Sequence, residues 1–209
     1  MWSGTILLIL IGAAAVIVRT VVLAHGPRAG RGDVDDGFAR HPVLTLIHIL
    51  PGLLFFLLAP LQFVKRLRER APRVHRWTGR LVLLLALVVG VSALLMSFET
   101  VIGGINETAA VVLFDSLFLC CLIKGWRSVR RGDYVRHREW MIRMFGIGLG
   151  IATTRPIMGV FFATARQTGL TPHEFFGTAF WLGFTLTLLA AESWIQYTRR
   201  PGQRPAQVH

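Results

Sequence analysis

Acidic side chains and cysteines are scarce in this chain, and each scarcity excludes something. Eleven Asp and Glu stand against 23 Lys and Arg, a formal net charge of +12 over 209 residues. The two cysteines, Cys120 and Cys121, are adjacent inside an apolar run, which excludes a disulfide framework and gives no metal-ligand spacing. There is no CxxCH, so no covalent haem attachment site. What is abundant is apolar: 53% of residues are hydrophobic and the mean hydropathy is +0.55. A soluble nucleic-acid binder would spread its charge over a folded surface. Here Lys and Arg fall in blocks between apolar runs long enough for a bilayer core, which takes about 20 residues. The basic balance therefore reads as membrane topology and not as a nucleic-acid footprint.

Six apolar segments stand out, at Thr5–Leu23, Val43–Val64, Leu81–Phe98, Ala109–Trp126, Met141–Ala163 and Phe175–Tyr197. Backbone groups must be paired in hydrocarbon, so each is expected to be an α-helix. The expected architecture is an all-α polytopic bundle of about six spans, one membrane domain over residues 1–200 with 201–209 a disordered tail. Val22-Leu23-Ala24 looks like a cleavage site, but no basic region precedes the first apolar run. That run reads as a retained first helix.

Lys and Arg concentrate on one side. Two basic stretches, residues 65–80 and 124–143, read as loops, and the tail adds Arg199, Arg200 and Arg204. The opposite side has Arg28, Arg31, Arg40 and Arg166, balanced by Asp33, Asp35, Asp36, Glu99, Glu107 and Glu174. The positive-inside bias puts both termini in the cytoplasm. The DVDD run reads as a solvated acidic loop, and Asn106-Glu107-Thr108 matches a glycosylation sequon without implying its use.

The two basic stretches echo one another. Laid together without gaps, KRLRERAPRVHRWTGR places His75 on His137 and Arg76 on Arg138. This predicts a parallel helix–loop–helix repeat, with the two imidazoles facing across an axis along the membrane normal. Such a pair suits bis-His ligation of a b-type haem, with neighbouring arginines near the propionates. Equally, His and Arg at a helix start suit anionic lipid headgroups, with Trp77 and Trp140 in the interfacial belt.

Polar groups at membrane depth form two further candidate clusters. His48, Gly52, Phe55, Ala59 and Gln62 share one face of the second helix, with Pro51 and Pro60 interrupting it. Depth arithmetic sets Asp115 and Arg155 level with His48 toward the outside, so an Asp115–Arg155 pair with His48 beside it is expected. Nearer the inside, Gln62, Arg80, Arg143 and Glu192 form a second cluster, with Glu192 in reach of Arg143 or Arg80. Arg19 reads as snorkelling. Met158 or Met96 could partner His48 on an iron. Gly146–Gly150 is a GxxxG packing signal and no cofactor motif.

LAPLQF after His48, HRWTGR at His75–Arg80, and HREWMIR followed by ATTRP resemble the domain-of-unknown-function 2306 family over about His41 to Tyr197. The resemblance implies a bacterial multi-pass inner-membrane protein and carries no activity. His48, Gln62, His75, Arg76, Gly79, Arg80, His137, Arg138, Trp140, Met141, Arg143 and Arg155 match its motifs. Three functions stay open: a redox protein holding b-type haem or quinone, a non-catalytic scaffold meeting anionic lipid, a partner protein or its own copies, and a proton-linked carrier.

Overall fold

The computed structural model describes residues 2–26 and 38–199. The DVDD run and the tail after Arg199 lie outside them. Among the described residues the chain is helical throughout its regular structure: α1 (Trp2–His25), α2 (Pro42–Leu58) running into a 3-10 turn (Ala59–Phe63), a short α3 (Lys65–Arg70), α4 (Pro72–Glu99), α5 (Gly104–Arg130), α6 (Tyr134–Thr168) and α7 (Pro172–Thr198). Six of these helices, α2 counted with its 3-10 turn, are long and apolar enough to cross a membrane.

Local chemistry sets the ends. Proline opens α2, α4 and α7, where its missing N–H is no loss and its fixed φ is already helical. Asp133 caps α6 by accepting the Arg136 N–H at 3.0 Å. Glu107 folds back over the start of α5, accepting the N–H groups of Ile102 (3.0 Å) and Gly103 (2.6 Å). Gly169, with φ of +72°, ends α6 in the left-handed conformation that glycine takes most easily.

The basic stretches are not loops. α5 runs on to Arg130, residues 131–133 form the turn, and Lys65–Arg70 is itself a helix. Lys and Arg are good helix formers, so hydropathy marked where hydrocarbon stops and not where helix stops. Pro51 likewise sits inside α2 without ending it, whereas Pro60 falls in the 3-10 turn. At the helix starts Ala71 and Asp133, aligned in sequence, each immediately precede a helix. Upstream the units differ, because α3 has no counterpart in the second.

α2 packs on α4, α4 on α5, α5 on α6, α6 on α1 and α1 back on α2, closing a ring, while α7 lies against α5 and α6. The ring is filled by aromatics. Phe55 meets Phe56, Phe118 and Phe145 with ring centroids 5.8, 6.0 and 6.1 Å apart. Gly148 makes room for it: a Cβ there would stand 3.2 Å from the Phe55 ring and 3.5 Å from Phe118. Outward, Leu50, Leu54 and Leu57 on α2 and Leu182, Leu186 and Leu189 on α7 are exposed, the surface a bilayer covers.

Candidate functional site

At the basic end the two equivalent histidines sit in the first turns of α4 and α6. Their backbone N–H groups bond to the carbonyls of Ala71 (3.0 Å) and Asp133 (2.9 Å). The His137 ring Nδ1 lies 2.9 Å from the Gly125 carbonyl oxygen. A carbonyl can only accept, so Nδ1 carries the proton and Nε2 presents its lone pair. Gly125 permits this approach, since any side chain there would run into Trp140 and Met141. His75 is different: its Nδ1 is buried and has no hydrogen-bond partner among the described residues. The two imidazoles are close enough to interact electrostatically, and Arg68 and Arg76 act on His75 as well.

Arg68, carried by α3, also acts on Arg138, so the short helix brings its charge to both His-Arg motifs. Arg138 donates to Thr198 Oγ1 at 3.0 Å. The acidic residue nearby is already engaged: Glu139 accepts Arg199 Nε at 2.8 Å and Nη2 at 3.0 Å, and lies 3.8 Å from Arg143. The result is a cluster of His75, His137, Arg68, Arg76 and Arg138 with an excess of positive charge.

The inner polar cluster divides into separate contacts. Arg143 clasps Glu192 through two hydrogen bonds, the Nη2–Oε2 one at 3.0 Å. Gln62 instead donates to Thr78 Oγ1 at 2.7 Å, and a Cβ on Gly79 would stand 3.1 Å from the Gln62 carbonyl oxygen. The LQF and HRWTGR motifs therefore touch. Arg80 does not join Glu192; its guanidinium sits 5.0 Å over the Trp77 ring. Helical spacing alone gave its depth and not its azimuth.

Toward the other end, His48 Nδ1 lies 3.0 Å from Ser92 Oγ. Ser92 has one hydroxyl proton and directs it at the Val88 carbonyl, 2.7 Å away. His48 Nδ1 is therefore the donor, and its Nε2 is again the free acceptor. Arg155 is within electrostatic range of His48, Glu107 and Arg19. The expected Asp115–Arg155 pair is not formed. Asp115 Oδ2 is instead buried and has no hydrogen-bond partner among the described residues. Similar depth did not guarantee a pair. Arg19 lies 3.8 Å over the Phe38 ring. Met158 packs with Phe175, Phe176 and Ala179 near α7 and not beside His48.

Sequence reading missed Ser92, Thr78, Thr198 and Glu139. Only Glu139 carried a signal, its i,i+4 spacing to Arg143. Among the described residues no group of three or more His, Cys, Asp or Glu could hold a metal ion. Residues 45–195 match a family model described as a predicted membrane protein, the domain-of-unknown-function 2306 family. No curated protein and no solved structure matches the chain significantly.

Proposed function

The chain belongs to the domain-of-unknown-function 2306 family of predicted membrane proteins, and within that membrane frame we propose that it is a one-electron carrier holding b-type haem between α4 and α6. His75 and His137 would hold the iron. The carrying observation is the convergence of these two histidines, one with a free Nε2 and the other with an orphaned buried nitrogen. Metal-bound imidazoles usually donate their other ring N–H to a carbonyl or carboxylate, and the His137–Gly125 bond has this form. Arg68, Arg76 and Arg138 supply cations for the two propionates. Haem, when bound, supplies the ferric–ferrous couple. The protein's part is to hold the rings and neutralise the carboxylates. The bacterial inner membrane, with the basic end cytoplasmic, belongs to the same proposal.

The test is a visible spectrum of purified protein, oxidised and then dithionite-reduced. A Soret band is expected, and it should be lost in both His75→Ala and His137→Ala. A colourless preparation from haem-replete cells, or a band that survives both substitutions, rejects the assignment.

A second reading, a scaffold that meets anionic lipid, is favoured by the ring of cation–aromatic contacts at the same end: Lys124 and Arg143 lie 4.7 and 4.8 Å from the Trp140 ring centroid, and Arg130 lies 5.9 Å from that of Trp126. Headgroup-level Trp beside Lys and Arg suits an anionic interface. Nothing comparable favours proton-linked transport: the helices between Asp115 and Glu192 are joined by rings such as Phe114 stacked on Phe184 at 5.1 Å.

A further inference from the structure

The polar group around His48 has no part in the inner site, and three helices build it. Antiparallel packing sets the register: Phe55 on α2 meets Gly148 on α6. Two helical turns outward from that contact, on the same faces, stand His48 on α2 and Arg155 on α6. On α4, Val89 lies beside Gly52, and one turn outward Ser92 reaches His48. His48, Ser92 and Arg155 thus share one layer, and Phe55 and Phe118, buried to 2 and 3% exposure, form the floor beneath it.

The donors and acceptors in this layer are complementary. Ser92 fixes the His48 tautomer, leaving Nε2 as an acceptor. Arg155 offers guanidinium N–H donors and makes no hydrogen bond or ion pair among the described residues. Glu107, which lies within electrostatic range of it, has Oε2 occupied by two backbone N–H groups. An intramembrane arginine without a partner is costly and normally faces a cavity or ligand. A ligand that satisfies both groups needs one acceptor and one donor. A simple anion uses Arg155 and leaves His48 Nε2 unmatched.

Depth narrows the ligand further. His48 is six residues into α2, about 9 Å below its start. Its neighbours Ile47 and Leu50 are exposed apolar side chains, so the layer adjoins acyl chains. A planar ring also suits the aromatic floor.

We propose that His48 and Arg155 bind the head group of a lipid-soluble quinone, Arg155 donating to one ring oxygen in either redox form and His48 Nε2 accepting from the other hydroxyl once the ring is reduced to the quinol. This site goes beyond the inner haem assignment and does not depend on it.

The probe is azido-decylubiquinone, photolysed with the full-length protein in nanodiscs and mapped by peptide mass spectrometry. Labelling is expected on the segments around His48 and Arg155, suppressed by excess decylubiquinone. Affinity for decylubiquinone should fall about ten- to hundredfold in Arg155→Gln, and affinity for the reduced decylubiquinol should fall by a similar factor in His48→Leu, the loss expected for one hydrogen bond to a charged or buried partner. Arg155→Lys should recover part of it. Labelling elsewhere, labelling that decylubiquinone does not suppress, or unchanged affinity in monodisperse variants overturns the site. The wild-type labelling pattern decides the matter even if a variant fails to fold. Haem content, read on the same preparations, separates the two assignments: loss of haem with quinone binding intact sinks only the inner site, and the reverse sinks only this one.

Discussion

Arg143 shows what a single side chain does in this bundle. Its side chain is 16% exposed and its charge is met by Glu192 on α7 and by Glu139 one turn back on its own helix. The double hydrogen bond to Glu192 fixes the guanidinium plane. Glu192→Gln should destabilise the protein by about 1–3 kcal/mol, the range for a hydrogen bond to a charged group, the lower half being expected because Glu192 keeps some contact with solvent. Equilibrium unfolding in mixed detergent micelles reads this out, and a double-mutant cycle with Arg143→Met should return most of it as coupling. Additive effects of the two substitutions would show that the pair does not act as a unit. At this scale the sequence exposed which groups are costly to bury, because charge in an apolar run announces itself. It did not expose their partners. Asp115 and Arg155 form no ion pair although they lie at similar depth by helical rise, and azimuth is set by packing among helices whose lipid and protein faces are both apolar.

That same ambiguity explains why helices were easy to find and their seams were not. Apolar length marks a span, but the period that marks a buried face in a soluble helix is blurred when lipid covers the other side. Glycine is the more useful guide to the seams. A Cβ on Gly183 would meet Thr154 Oγ1 at 2.9 Å and the backbone O of Gly150 and N of Thr154 at 3.0 Å each. Two of those three atoms are backbone and cannot swing aside. Gly183→Ala should therefore part α6 from α7 and cost about 1–3 kcal/mol, the usual penalty for overpacking. Gly159, with nothing within 4 Å of its Cβ position, is the contrast. Gly159→Ala should be neutral or raise stability by up to about 1 kcal/mol through helix propensity. Thermal unfolding of both variants, followed by circular dichroism, checks the order. The GxxxG of Gly146 and Gly150 belongs to this seam as well, since Gly146 faces Ala191 and Gly150 faces Phe184.

For the molecule as a whole, the proposed orientation rests on charge asymmetry. The helix starts bearing His75 and His137 lie at the end that holds most of the Lys and Arg of the described residues, and the capped turns of Glu107 and Glu174 lie at the other. A fluorescent protein fused after Arg200 should mature and fluoresce, whereas alkaline phosphatase fused there should be inactive; the opposite pattern reverses the topology. The basic end should also feel lipid charge. Melting temperature in nanodiscs should rise as phosphatidylglycerol replaces phosphatidylcholine, and the rise should shrink in high salt, because exposed charges separated by more than a Debye length are screened.

α6 joins the two ends. It is helical without a break from Tyr134 to Thr168, and its inner histidine and outer arginine are 18 residues apart in the sequence. At 3.6 residues per turn that is five whole turns, about 27 Å along the axis, so His137 and Arg155 project along the same line. Pro156 leaves the Ala152 carbonyl without its N–H partner, yet the helix continues through it. The helix therefore works as a camshaft with two lobes in phase. Any torque that turns it about its axis swings both side chains through the same angle in the same sense, while a tilt about the Phe55 contact drives them in opposite directions.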